Sequence, residues 1–237
     1  MKNQAEPEKW YNIQDTSKDK IMAKDFAFVP FKREDHVYHN EAFAELCKDA
    51  VRAFNGTPVC ELPPPRFTGS GVYAIYCTAK KGIYERYGNK VNRMGYNVPI
   101  YVGKAVPKGW RQSRTAGVET DRGSTLRSRL AHHSKTIRVV ENLDLNDFAC
   151  RFMIFSGSSV DMIAAVEAAL IAEYTPLWNA VIDGFGNNAP GDKRMGGIVP
   201  KWHILHKGVE WASKMTGARA DVRQVQKSVM DYMMGLR

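Results

Sequence analysis

The sequence of 237 residues has few cysteines, and they are widely spaced. Cys47, Cys60, Cys77 and Cys150 form no CxxC pair. A zinc knuckle needs closely paired cysteines, and a disulfide framework needs more of them in a shorter chain. We therefore expect neither kind of site, and we predict that the four cysteines are reduced and mostly buried.

Long apolar runs are also missing. Residues 1–15 lack the apolar core of a signal peptide. The longest apolar stretch, from Met162 to Ala172, is too short to span a membrane and is interrupted by Glu167. We therefore expect a cytoplasmic protein that does not associate with a membrane. The chain also has no internal repeat and no low-complexity tract.

Acidic residues are outnumbered by basic ones. There are 25 Asp and Glu against 34 Lys and Arg, which gives a formal net charge of +9. Such an excess attracts polyanions, and nucleic acid is the commonest polyanionic partner of a basic protein. A basic, solvated surface without a partner has the same composition, so charge favours nucleic acid without establishing it.

The pattern of apolar and β-branched residues predicts a small α/β (α+β) fold. We expect a central three-stranded antiparallel sheet flanked by helices, with helical extensions at both ends. Strands are predicted at residues 71–77, 99–104 and 150–155, and helices at 36–54, 124–138, 161–174, 206–216 and 221–235. Ser124 is the expected N-cap of the second helix.

Four segments are expected along the chain. They are a polar arm (1–35), a helix with its connector (36–66), a core with basic insertions (67–182), and a Gly-rich loop followed by helices (183–237). The apolar face of the helix in the second segment leaves two interpretations open. It packs on the protein's own core, or it is a dimer element.

Glu167 lies in the middle of the apolar face of the helix predicted at 161–174. Ile163, Val166 and Leu170 share that face at helical spacing. An ionised carboxylate among them must be protonated, paired or bound to a metal. The residues alone leave two possibilities open, a structural ion pair with Lys or Arg and a metal ligand.

Arg129 and His133 lie four residues apart on the preceding helix and therefore share a face. That face borders the apolar stripe of Leu126 and Leu130, so we expect both side chains at the boundary of a cleft. An arginine there can hold a phosphate through two hydrogen bonds, and a histidine can shuttle a proton. A solvated surface pair is the alternative.

The first two strands contribute tyrosines. Tyr73 and Tyr101 are ordinarily packing residues when each is considered singly. Tyr76 faces opposite Tyr73, because side chains alternate along a strand, and it is predicted to be a packing residue.

Taken together, these residues form a more specific pattern. The triplets 71–73 (Gly-Val-Tyr) and 101–103 (Tyr-Val-Gly), followed in order by Arg129, Glu167 and Asn179, resemble the GIY-YIG nuclease superfamily. Valine replaces isoleucine in both triplets and keeps a β-branched apolar residue. The likeness continues to the type II restriction endonucleases of this superfamily and covers roughly residues 35–211; its local motifs are 99–107, 109–114, 166–171, 176–179 and 183–187.

The resemblance implies Mg²⁺-dependent hydrolysis of phosphodiester bonds in double-stranded DNA. Glu167 would bind one Mg²⁺ per site, with Mn²⁺ as a substitute and no organic cofactor. Tyr73 would be the general base. A phenol titrates near 10, so positive charge from Lys104 and from the metal would have to favour its phenolate.

The remaining roles also follow from the resemblance. Arg129 would clamp the scissile phosphate, and His133 would support the proton network or the phosphate. Tyr101 would order that network through its hydroxyl. Asn179 is expected to orient its neighbours or to contact the backbone.

Base recognition requires groups outside such a small core. We expect DNA contacts from Arg93 in the basic insertion and from Arg111, Gln112 and Arg114 in the following loop. Arginine pairs most often with guanine, which suits a G·C-rich site. The nearest relatives by resemblance cut the palindrome CCGCGG, and a palindrome implies a homodimer.

Three alternatives remain at this stage. The first is a structure-specific GIY-YIG nuclease of DNA repair or recombination. The second is a non-catalytic DNA-binding module on a degenerate core. The third is an RNA-binding protein with tyrosine stacking platforms, which gives no reason for the carboxylate of Glu167.

Overall fold

The computed structural model describes residues 30–107, Trp110, Gly123 and 125–236. The chain divides into two units, one up to Asn40 and one from Glu41 onward. In the first unit, the described residues contain a 3₁₀ turn at Arg33–His36, with the Phe31 ring stacked on His36 at 5.1 Å. Most of the predicted polar arm lies outside the described residues.

The second unit is built on a four-stranded antiparallel sheet. Its strands are β1 (Val59–Glu61), β2 (Ser70–Cys77), β3 (Tyr101–Ala105) and β4 (Phe148–Phe155), in the spatial order β1-β4-β2-β3. The predicted fold class is confirmed. The sheet has one strand more than the predicted three, because the short β1 pairs with β4 through Val59–Arg151 and its neighbours.

Seven α-helices surround this sheet in the described residues. They are α1 (Glu41–Gly56), α2 (Thr125–Val139), α3 (Ile163–Tyr174), α4 (Leu177–Ala180), α5 (Lys201–Leu205), α6 (Glu210–Ser213) and α7 (Val222–Gly235). The predicted cap, Ser124, lies outside the described residues. Throughout this part of the chain, no helix is both long and apolar enough to cross a membrane.

Two helix predictions need correction. The helix expected from residue 36 begins at Glu41, because Val37 is extended after the 3₁₀ turn. The helix expected at 206–216 is reduced to the short helix α6, and α5 ends just before that range at Leu205. Gly208 separates them with a φ of 126°, a left-handed conformation that no continuous α-helix accommodates.

The sheet separates two apolar layers. Val72, Ala74 and Tyr76 of β2 pack towards α1 and α3, whereas Tyr73 and Ile75 pack on the opposite side with α2 and α4. Tyr76 therefore faces away from Tyr73, as strand alternation predicts.

The apolar face of α1 contributes to the first layer. Phe54 is fully buried there and Cys47 is 9% exposed, which supports packing of this face on the protein's own core. Phe43 and Leu46, about three and two turns before Phe54, are about half exposed, at 49% and 48%.

The insertion between β2 and β3 is a folded element. It contains a 3₁₀ turn at Gly82–Tyr84 and a π-helical turn at Tyr87–Val91. Asn92 closes it: its side-chain nitrogen donates to the carbonyls of Cys77 and Val98, and its oxygen accepts from the backbone N–H of Asn97 and of Val98. The loop that follows is thereby fixed to the end of β2.

Candidate active site

Tyr73 reaches the edge of the sheet by passing over a glycine. It lies on the inner strand β2, is 1% exposed, and pairs across the ladder with Gly103 of the edge strand β3. A β-carbon at Gly103 would lie 2.5 Å from the Tyr73 hydroxyl oxygen. Only glycine leaves room for the phenol at this position.

The Tyr73 hydroxyl forms a hydrogen bond with His133 of α2. The distance between Tyr73 Oη and His133 Nε2 is 2.6 Å. His133 is fully buried, so its expected place at a cleft boundary is wrong. The helical pattern put it beside Leu126 and Leu130 but could not reveal what covers that side of the ring.

Burial keeps both partners neutral. It raises the pKa of Tyr73 well above 10, and the neighbouring Tyr101 raises it further. Burial lowers the pKa of His133 well below 6.5, with Arg129 and His132 acting in the same direction. At neutral pH the pair is a phenol next to a neutral imidazole.

Tyr101 lies near the Tyr73–His133 pair and is also influenced by the charges of Arg129 and Glu167. Its ring lies 6.2 Å from that of Tyr73 and 5.3 Å from that of His133. Burial raises the pKa of Tyr101, the charge of Arg129 lowers it, and the charge of Glu167 raises it. Tyr101 is therefore within electrostatic reach of both charged groups.

Arg129 is the cation next to the tyrosines. It is partly buried on α2, one turn before His133, and its charge lowers the pKa of both Tyr73 and Tyr101. The resemblance implied this electrostatic effect from Lys104 and from a metal; in the structure the cation that lowers the pKa of Tyr73 is Arg129.

Lys104 instead forms an ion pair with Glu167, between the ammonium nitrogen and Oε2. Lys104 pairs with Val72 in the ladder, so its side chain lies on the α3 face of the edge strand. The Glu167 side chain is 17% exposed and that of Lys104 is 34% exposed. Glu167 is thus paired with a lysine on the α3 face, and its charge acts on Tyr101, whose pKa it raises.

Asn179 holds the outer edge of β3. Its Oδ1 accepts a hydrogen bond from the Val102 N–H at 2.8 Å, and its Nδ2 donates to the Val102 carbonyl at 2.9 Å. These two bonds fix the strand between Tyr101 and Gly103. Asn179 therefore contacts the backbone, as expected.

The residues expected to contact DNA are only partly within the described chain. Arg93 is exposed and borders a concavity of about 630 Å³, together with Lys80, Lys81 and Tyr96. Arg111, Gln112 and Arg114 lie outside the described residues.

Phe185 was not predicted from the sequence as part of the site. Its ring stacks on His133, with 4.6 Å between centroids, and meets the Tyr101 ring edge-on at 5.0 Å. The available signal was an aromatic residue enclosed by two glycines, Gly184 and Gly186.

In the described part of the chain, no group of three or more His, Cys, Asp or Glu side chains could hold a metal ion. Mg²⁺ commonly uses one or two carboxylates and completes its shell with water and phosphate oxygens. A single carboxylate at the edge of the site, that of Glu167, fits this type of ligand set.

Comparison with known proteins assigns the chain to a family. Residues 65–233 match the family model described as the Eco29kI GIY-YIG domain, a span that includes every residue of the site. No curated protein matches the chain.

Proposed function

The chain belongs to the Eco29kI GIY-YIG family of restriction endonucleases, and from this premise we propose that it is a Mg²⁺-dependent type II enzyme. Its proposed substrate is double-stranded DNA with a short G·C-rich palindrome, for which we propose CCGCGG. The observation that supports catalysis best is the Tyr73–His133 hydrogen bond at the sheet edge, flanked by Arg129 and Glu167.

The neutral Tyr73–His133 pair supports a proton relay. Water attacks the phosphorus as the bond from phosphorus to the leaving oxygen breaks. One proton of the water passes to Tyr73 Oη while the phenol's own proton moves to His133 Nε2, and the leaving oxygen takes a proton from solvent. Tyr73 is then the general base without existing as a phenolate beforehand, which burial disfavours. The relay uses the tautomer of His133 with its proton on Nδ1.

Arg129 is placed to stabilise negative charge on the scissile phosphate. Its guanidinium lies beside both tyrosines, where a phosphate must come if the attacking water is to reach Tyr73. A planar guanidinium can donate two parallel hydrogen bonds to phosphate oxygens. This attraction grows as charge accumulates during the attack.

Glu167 would hold the Mg²⁺ ion as its protein ligand. A divalent ion held there would supply charge to polarise a phosphoryl oxygen and to stabilise the leaving oxygen. Lys104 balances the charge of Glu167 in the chain itself, so the half-buried carboxylate is not left unpaired before a cation arrives.

Recognition of the palindrome would require two copies of the chain. Arg93 lies on a loop anchored by Asn92, which makes it a rigid candidate for guanine contact, and Arg111, Gln112 and Arg114 are the further candidates. A palindrome has a two-fold axis, so a homodimer would place one active site at each strand. The half-exposed Phe43 and Leu46 make α1 the candidate dimer element.

The test is digestion of a plasmid that contains one CCGCGG site. In Mg²⁺ we expect one linear product whose mapped ends lie within that site, and no product after the site is scrambled. Cleavage confined to branched DNA would favour a repair or recombination nuclease. Site-specific binding without cleavage would favour a non-catalytic module.

A further inference from the structure

The loop Asp183–Asn187 packs against the His133 ring through Phe185 and Gly186. The Phe185 ring lies parallel to the imidazole, with an interplanar angle of 18°. Gly186 lies against the edge of the ring. A β-carbon there would be 2.1 Å from Cε1 of His133 and 2.6 Å from its Nδ1.

This loop is firmly held in the core. Phe185 is 3% exposed and contacts the rings of Trp178 at 4.3 Å and Trp202 at 5.1 Å. The Asp183 carbonyl accepts a hydrogen bond from the backbone N–H of Trp202. Gly186 has a φ of 70°, which L-residues rarely adopt. The loop can therefore act as a rigid wall against the imidazole.

Within the described chain, His133 makes one side-chain hydrogen bond, whereas a working histidine is usually oriented by two. A carboxylate or carbonyl ordinarily fixes the ring and its tautomer through the other nitrogen. Among the described residues, Nδ1 of His133 has no hydrogen-bond partner although it is buried. The orientation of the ring must come from packing instead.

We propose that Phe185 and Gly186 are positioning residues that fix the plane of the His133 ring, so that Nε2 meets Tyr73 Oη. This inference rests on the proposed function, in which His133 receives the phenol's proton. Phe185 has a second effect during that transfer. Its π face lies 4.6 Å from a ring that becomes positively charged, an arrangement that favours the imidazolium form.

Two variants test the proposal through cleavage. Gly186→Ala places a methyl carbon 2.1 Å from the imidazole, so the ring must move by about 1 Å or more to make an ordinary contact. A misplacement of about 1 Å lowers kcat by about a hundredfold. Phe185→Leu keeps an apolar side chain but loses the π face, and we expect kcat to fall about tenfold. KM should change little in both, because neither residue is placed to contact DNA.

Matched controls separate positioning from folding. Gly191→Ala adds the same methyl group where nothing lies within 4 Å, so kcat should be unchanged. Phe54→Leu removes a buried phenyl ring on the opposite side of the sheet and should lower stability without lowering kcat. If Gly186→Ala does not fold, the two phenylalanine variants are compared. A lower kcat in Phe185→Leu than in Phe54→Leu supports the positioning role, and equal kcat values overturn it.

A measurement independent of cleavage is the ¹H–¹⁵N NMR spectrum of the histidine side chains. In the wild type we expect a single His133 tautomer and a downfield hydroxyl proton from Tyr73, both altered in Gly186→Ala. Wild-type spectra and kcat in both variants would overturn the positioning role. If Gly186→Ala alters the spectra but the wild-type protein itself cleaves no DNA, the ring placement is supported and the proposed function is overturned.

Discussion

The Tyr73 phenol lies over the Cα of Gly103, at a point where any β-carbon would come within 2.5 Å of its hydroxyl oxygen. The inner strand supplies the tyrosine, and the edge strand supplies the space that its side chain crosses. This relationship explains why the two triplets of the family pattern occur on paired strands: a tyrosine in the first requires a glycine in the second. The hydroxyl can then reach groups that lie beyond the sheet.

Gly103→Ala is predicted to inactivate the enzyme by moving Tyr73. The displaced hydroxyl no longer meets His133, and we expect cleavage to fall by about a hundredfold. Overpacking should also lower the free energy of unfolding by about 1–3 kcal/mol. The cleavage rate and chemical denaturation measure the two effects. Gly56→Ala is the control, since its new methyl group has nothing within 4 Å; a Gly103→Ala enzyme with wild-type activity would contradict the relationship.

Tyr73→Phe is predicted to remain folded while losing cleavage. The ring still fills the space over Gly103, but the proton relay is broken, which should lower the rate by about 10²–10⁴-fold. His133 Nε2 is left buried without this partner, at a cost of about 1–3 kcal/mol in the free energy of unfolding. Tyr76→Phe changes a buried tyrosine on the other face and should cut normally. Equal cleavage rates for Tyr73→Phe and the wild type would rule out the general-base role.

Glu167→Ala is predicted to separate cleavage from binding. Removal of the carboxylate eliminates the proposed metal ligand, so Mg²⁺ should no longer support cleavage, whereas affinity for the site should stay nearly unchanged. Lys104 loses its partner but is one-third exposed and can be hydrated, so the variant should fold. Cleavage assays over a Mg²⁺ series and gel-shift assays without metal measure the two properties. EDTA should likewise stop the wild-type enzyme; metal-dependent cutting by the variant would remove Glu167 from the metal site.

The sequence pointed to candidate residues for the site, but it did not indicate which groups each of them contacts. The order and spacing of the motifs, through the family resemblance, singled out Tyr73, Tyr101, Arg129 and Glu167. Local periodicity gave only the side that each residue faces and left packing, an ion pair or a solvated position open. The burial of His133 depends on a loop some fifty residues later in the chain, and no local pattern contains that contact.

Local sequence patterns also failed to predict the partner of Glu167 and two details of the fold. The pairing of Lys104 with Glu167 depends on which face of the sheet α3 covers, and helical periodicity does not specify that choice. The fourth strand, β1, is three residues long, which is too short to show an alternating pattern. The break at Gly208 requires a left-handed backbone that glycine permits but does not enforce.

Acidification is predicted to destabilise the protein through its buried histidines. Burial lowers the pKa of His206 to about 3 and that of His203 to about 4, and it lowers that of His133 as well. Above about pH 6.5 the histidines are neutral in both states, so their full contribution to stability is present. As the pH falls from 6.5 towards 4, the unfolded chain binds protons that the folded chain excludes. Each such histidine then costs up to about 1.4 kcal/mol per pH unit.

Chemical denaturation at pH 7, 6 and 5 measures this loss. His206→Gln should show a shallower dependence on pH than the wild type, although its stability at pH 7 will be lower because the bond to Tyr84 is changed. A free energy of unfolding that is constant from pH 7 to 5 would mean that these histidines are accessible to protons in the folded protein.

Arg93→Ala is predicted to weaken binding to the recognition site, and the pattern of the loss identifies what Arg93 contacts. If Arg93 pairs with a guanine, the loss is about 1–3 kcal/mol and discrimination relaxes at one base pair of each half-site. If it contacts a phosphate, affinity falls equally for all sequences. The slope of log affinity against log salt concentration then becomes shallower by about one. Binding of single-substitution variants of CCGCGG over a series of salt concentrations distinguishes the two.

The rigid attachment of this loop through Asn92 favours the guanine contact, because a base edge must be met at a fixed angle whereas a phosphate need not be. Unchanged affinity and unchanged discrimination would leave base recognition to the loop after β3.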